Sequence, residues 1–106
     1  MSALLGQHCA AKVDKAQPGA ITSYLQELPG WAIENGMLAK RFDFANFYET
    51  MAFVNMVAWI ANRQDHHPDL EVGYNRCRVA YSTHSVGGLS INDFICAAHI
   101  EAAVRA

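Results

Sequence analysis

Asp65-His66-His67-Pro68-Asp69-Leu70-Glu71-Val72-Gly73-Tyr74-Asn75-Arg76-Cys77-Arg78-Val79-Ala80-Tyr81-Ser82-Thr83-His84 is the stretch that decides the fold. Leu70, Val72 and Tyr74 alternate with Glu71, Gly73 and Asn75. From Arg76 the alternation starts again. Cys77, Val79, Tyr81 and Thr83 share one face, and Arg78, Ala80, Ser82 and His84 the other. A period of two marks a strand with one buried face. Two such runs in succession predict an antiparallel hairpin. Antiparallel pairing returns the chain to the sheet edge where it began. The His66-His67 pair before the first strand and His84 at the end of the second are therefore expected at one edge.

Upstream, Asn46 to Gln64 contains no Pro or Gly and reads as the longest helix. It has two apolar stripes. Phe47, Met51, Val54, Ala58 and Ala61 recur at helical spacing and are assigned to the core. Phe53, Val57 and Ile60, with Met56 beside them, form a second stripe on roughly the opposite side. That stripe is expected to find cover in an oligomer. The helix stops at 65–69, because a residue before proline disfavours helix. Further upstream, Asn35-Gly36 is a strong hairpin signal. It joins a strand containing Trp31 and Ile33 to a returning strand, Met37 to Phe44. Ala20 to Leu28 has Ile21, Tyr24, Leu25 and Leu28 at helical spacing, and Pro29-Gly30 ends it. Residues 1–19 read as a loose lead-in, with Gln17-Pro18-Gly19 as a breaker. Downstream, Gly87-Gly88 is a turn, and Ser90 is placed to cap a last helix from Ile91 to about Val104. The order is helix, two strands, helix, two strands, helix. It predicts a single α+β domain over 1–106, with a four-stranded antiparallel sheet and helices on one face.

Composition narrows the function. The chain has 106 residues, 52% of them hydrophobic, and a net charge of -2. No basic face is available for a phosphate backbone, which argues against nucleic acid. Every apolar run is interrupted well before the roughly 18 residues that suggest a membrane span. The first eleven residues lack a basic signal-peptide start. Cys9, Cys77 and Cys96 are odd in number and form no CxxC pair, so a reduced cytoplasmic setting is expected.

Of the five histidines, His8 and His99 stand alone in sequence. His66, His67 and His84 can converge. Imidazole, with a usual pKa of about 6.5, both gives and takes protons near neutrality. Such a cluster suits a reaction that delivers one proton and removes another. Two other readings compete. Paired histidines at a helix end also interact well with its dipole. Three histidines with Asp93 could bind zinc or iron, although the usual pair one helical turn apart is missing. Asp93 itself fits a capping box with Ser90, and could also orient a histidine from the helix start.

Asp65-His66-His67-Pro68, Tyr74-Asn75, Ser82-Thr83-His84, Gly88-Leu89-Ser90 and Asp93, at these intervals, resemble the pterin-4a-carbinolamine dehydratase family. The family is also known as the dimerisation cofactor of a homeodomain transcription factor. Trp31, Phe42-Asp43-Phe44 and the Phe53 helix match more loosely, so the resemblance covers roughly 20–104. It implies the same α+β fold and a homodimer or homotetramer. It implies a dehydratase for 4a-hydroxytetrahydropterin, the product left by aromatic amino acid hydroxylases, with a hydroxylase as a pathway partner and no metal or organic cofactor. It implies His66 and His84 in proton transfer and His67 holding the pterin. Asp65, His66, His67, Ser82, Thr83, His84 and Ser85 would contact substrate, with Asp93 in support. Where some members carry a glutamate four residues before the first histidine, this chain has Asn62. The alternative is a pterin-binding or coactivator-like interaction module without catalysis.

Overall fold

A computed structural model describes residues 3–105. The elements are α1 (Pro18–Gln26), β1 (Ala32–Glu34), β2 (Met37–Asp43), α2 (Phe47–Gln64), β3 (Asp69–Val72), β4 (Arg76–Tyr81), one 3-10 turn (His84–Val86) and α3 (Ile91–Arg105). The four strands form one antiparallel sheet in the order β1-β2-β4-β3. The β1–β2 turn is as expected: Asn35 and Gly36 both have positive φ, at 50° and 77°. That pairing is the twist-matched hairpin geometry that Asn-Gly favours.

Period two decides which sheet face is covered. Leu38, Phe42, Cys77, Val79 and Tyr81 point into one core with Phe53, Val57 and Ile60 of α2 and Phe94, Ile95 and Ile100 of α3. The opposite face carries Arg78, ion-paired to Glu34 at 2.9 Å and to Glu71 at 3.2 Å. Helices therefore cover one face, as expected.

The two stripes of α2 do not divide as expected: Phe53, Val57 and Ile60 are buried, and of the stripe assigned to the core only Ala61 is fully buried. Phe53, assigned to an oligomer contact, is 5% exposed and lies 4.5 Å from Phe42 and 5.1 Å from Phe44, centroid to centroid. Phe47, assigned to the core, is exposed, and Ala58 is too. Both stripes have helical spacing, so periodicity alone had no means of ranking them. The aromatic residues contributed by β2 and the following Phe44 decide the matter.

Two other expectations differ, and one helix end has another cause. Pro18 begins α1 instead of breaking the chain, because proline's fixed φ and missing N–H suit the first helical turn. Helix α2 ends at Gln64, as expected, but it is the left-handed conformation of Asp65, three positions before Pro68, that stops it. The lead-in is irregular but not loose. Leu4 is buried, and Ala16 N–H donates to the Leu89 carbonyl at 2.8 Å.

Helix α3 is buried nearly all round, and its polar residues are partnered. Glu101 accepts from Trp31 Nε1 at 2.9 Å and from Lys40 Nζ at 2.7 Å, tying α3 to the first hairpin. A buried carboxylate needs such donors to offset its desolvation. Among the described residues, no helix is long and apolar enough to cross a membrane.

Candidate active site

The β3–β4 register pairs Asp69 with Ala80. The residues just before β3 and just after β4 therefore meet at one end of the sheet. A cavity of about 370 Å³ opens there, lined by Asp65, His66, His67, Ser82, Thr83, His84 and Ser85. Every residue that the resemblance marks for substrate contact lies on this cavity. The segments that bring them differ. Asp65 turns the chain out of α2 in its left-handed conformation, and the His66 N–H donates to the Ala61 carbonyl at 3.1 Å. Pro68 then keeps the chain extended into β3. On the other side, His84 opens the 3-10 turn, which closes with Gly87 at φ 65°.

His66 is the most constrained of the three histidines. Its side chain is 13% exposed, and its Nε2 lies 2.6 Å from Oδ1 of Asp93, whose side chain is 0% exposed. The ring stacks on Tyr81 at 5.6 Å with 9° between planes. The hydrogen bond to the Asp93 carboxylate raises the His66 pKa above its usual value, against the opposing effect of burial. The carboxylate thus favours the imidazolium form.

Asp93 serves the helix start and the histidine together. Its Oδ2 accepts from Thr83 Oγ1 at 2.9 Å and from the Ser90 N–H at 3.0 Å. Ser90 Oγ in turn accepts from the Asn92 N–H at 3.2 Å, a reciprocal cap at the start of α3. The buried carboxylate thus locks α3, the end of β4 and His66 together.

His67 is exposed, and its Nε2 lies 3.1 Å from Asn62 Oδ1. An amide oxygen can only accept, so His67 Nε2 carries the proton. Asn62 therefore touches the second histidine, whereas sequence reading linked its position to the first. His84 is exposed at the cavity rim.

Sequence reasoning missed four lining residues: Ala10, Ala11 and Val13 from the lead-in, and Asn92 from α3. It also treated His8 and His99 as unconnected. Their rings lie 5.6 Å apart, and they line a different depression with Trp59 and Arg63. Cys9 and Cys96 likewise come together, with sulfurs 3.5 Å apart. No pattern in the lead-in announces either contact.

Comparison with known proteins agrees with this fold. The family model for pterin 4 alpha carbinolamine dehydratase matches residues 14–103. A Nitrosospira multiformis protein with a pterin-4-alpha-carbinolamine dehydratase name is 52% identical over 93 residues, covering 88% of this chain and 82% of its own length. A similarly named Bdellovibrio bacteriovorus protein is 55% identical over 95 residues, covering 85% and 79%. The crystal structure of a transcriptional coactivator/pterin dehydratase from Brucella melitensis superposes with a TM-score of 0.80 at 27% identity, covering 84% of this chain and 97% of that one. A pterin dehydratase-like RuBisCO assembly factor of the alpha-carboxysome shares the fold at a TM-score of 0.56 and 23% identity, covering 68% and 83%. The chain belongs to the pterin 4 alpha carbinolamine dehydratase family.

Proposed function

We propose that this chain dehydrates 4a-hydroxytetrahydropterin to quinonoid dihydropterin by histidine acid–base catalysis. The observation that carries the reading is the 2.6 Å contact of His66 with the fully buried Asp93, on a cavity shared with His67 and His84. With Nε2 committed to Asp93, the imidazolium of His66 has Nδ1–H left to give. That proton goes to the 4a-hydroxyl as the C4a–O bond breaks and water departs. The N5 lone pair forms the C4a=N5 bond, and His84 accepts the N5 proton. His67, fixed by Asn62, holds the ring. A raised His66 pKa suits the task of a general acid near neutral pH. No step needs a metal or organic cofactor, and the setting is a cytoplasmic pterin-recycling route beside an aromatic amino acid hydroxylase. The direct test is accelerated loss of freshly generated 4a-hydroxytetrahydropterin, insensitive to chelator.

A second reading, an interaction module, is favoured by one observation. Phe47 and Tyr48 stand exposed on α2, Tyr48 at 85%, next to an apolar groove lined by Phe44, Ala52, Met56 and Val104. Under either reading this side of α2 is where a homodimer or homotetramer would form. Tyr48→Glu should lower the mass seen by light scattering. An unchanged oligomer would remove this face from consideration.

A further inference from the structure

The cavity has a wall that strand ends do not supply. Ala10, Ala11 and Val13 line it, from a segment with no helix or strand. The segment is fastened at both ends. The Cys9 N–H donates to Gln64 Oε1 at 2.8 Å. Asn92, 5% exposed, grips Ala10 from both sides. Its Oδ1 accepts the Ala10 N–H at 3.1 Å, and its Nδ2 donates to the Ala10 carbonyl at 2.9 Å. At the far end Ala16 is bonded to Leu89. Among the described residues, 11–15 make no hydrogen bond of their own, so the anchors at Cys9, Ala10 and Ala16 supply the segment's polar ties.

Asn92 and Asp93 are consecutive in the first turn of α3. One holds the wall and the other holds His66. We propose that Ala10, Ala11 and Val13 form the apolar wall against which the flat pterin ring lies, and that Asn92 is a positioning residue that fixes this wall relative to His66. The inference rests on the dehydratase reading. Small apolar side chains on an anchored segment suit the face of a planar bicyclic ring, and a fixed wall lowers the ordering cost of binding. Asn92 does not touch the reacting atoms, so its loss acts on binding of ground state and transition state alike.

The test compares wild type with Asn92→Ala, Asn92→Asp and Val13→Asp. Asn92→Ala is expected to raise KM about tenfold with kcat within about threefold. Asn92→Asp keeps the acceptor for the Ala10 N–H and should restore part of KM. Val13→Asp, in the irregular segment and outside the core, should raise KM about tenfold at unchanged melting temperature, which guards against a folding defect in the Asn92 variants. Wild-type KM in Asn92→Ala and Val13→Asp, with an active parent, overturns the inference and leaves the dehydratase reading standing. If the parent shows no turnover, the dehydratase reading fails, and binding of biopterin, followed by its fluorescence, decides the wall. Tenfold weaker binding in both variants upholds it. Equal binding, or none by the parent, overturns it.

Discussion

Asp93 holds His66 Nε2 at 2.6 Å with one carboxylate oxygen while the other binds Thr83 and the Ser90 N–H. The same buried group therefore sets the protonation of the candidate acid and the junction of β4 with α3. If His66 delivers the proton, its rate profile must carry the mark of this contact. Asp93→Asn removes the charge but keeps an acceptor oxygen. The His66 pKa should fall, and the alkaline limb of the rate profile should move to lower pH. A pH-rate titration of both proteins checks this, with the His66 ring followed by NMR. An unmoved limb would separate Asp93 from the acid.

Stability should follow the same linkage. The folded-state pKa of His66 is raised above the unfolded value of about 6.5. The native state therefore holds the proton more tightly than the unfolded chain. The resulting stabilisation is fully present below about pH 6.5 and is lost as pH rises through the folded pKa. Urea midpoints of wild type and His66→Gln should differ most at acid pH and converge in alkaline solution. A gap that is constant or widens with pH would contradict the assignment.

Asn62 supports an exposed contact only. A hydrogen bond of this kind is worth about 0.5–1.5 kcal/mol. Asn62→Ala should therefore lower kcat/KM by about fivefold, far less than loss of His66. A drop of a hundredfold or more would assign Asn62 a direct part in the chemistry.

The thiols should differ in reactivity. The hydrogen bond from Cys96 lowers the Cys9 pKa, whereas the Cys9 contact and burial raise that of Cys96, and burial raises that of Cys77. Cys9 is also the one of the three that is not fully buried. Iodoacetamide at neutral pH should label Cys9 first, read by peptide mass spectrometry, because the thiolate is the nucleophile. Equal labelling of Cys77 would show that the fold is opening during the reaction.

The sheet and the histidine edge were legible because they rest on local rules. Alternation through Leu70–Val72 and Cys77–Thr83 fixes two strands, and antiparallel return places His84 near His66 and His67. Asp93 was half legible: Ser90 and Asp93 have capping spacing, but the bond to His66 crosses 27 positions of sequence. The α2 stripes were misranked because Phe47 and Phe53 are equally apolar, and only Phe42 and Phe44 across the interface distinguish them. The wall at 10–13 was invisible. Its placement depends on Asn92 and Gln64, whose side chains reach it over 55 or more positions, and no periodicity survives such a separation.

The central claim is that His66 is the acid of a pterin dehydratase. Its most direct test is dehydration of freshly generated 4a-hydroxytetrahydropterin, followed by absorbance, with wild type and His66→Ala at equal concentration. The account predicts acceleration over the spontaneous rate by wild type and a loss of about 10²–10⁴-fold in kcat for the variant, with its fold intact by circular dichroism. Equal rates for the two proteins, or no acceleration by folded wild type, would contradict it.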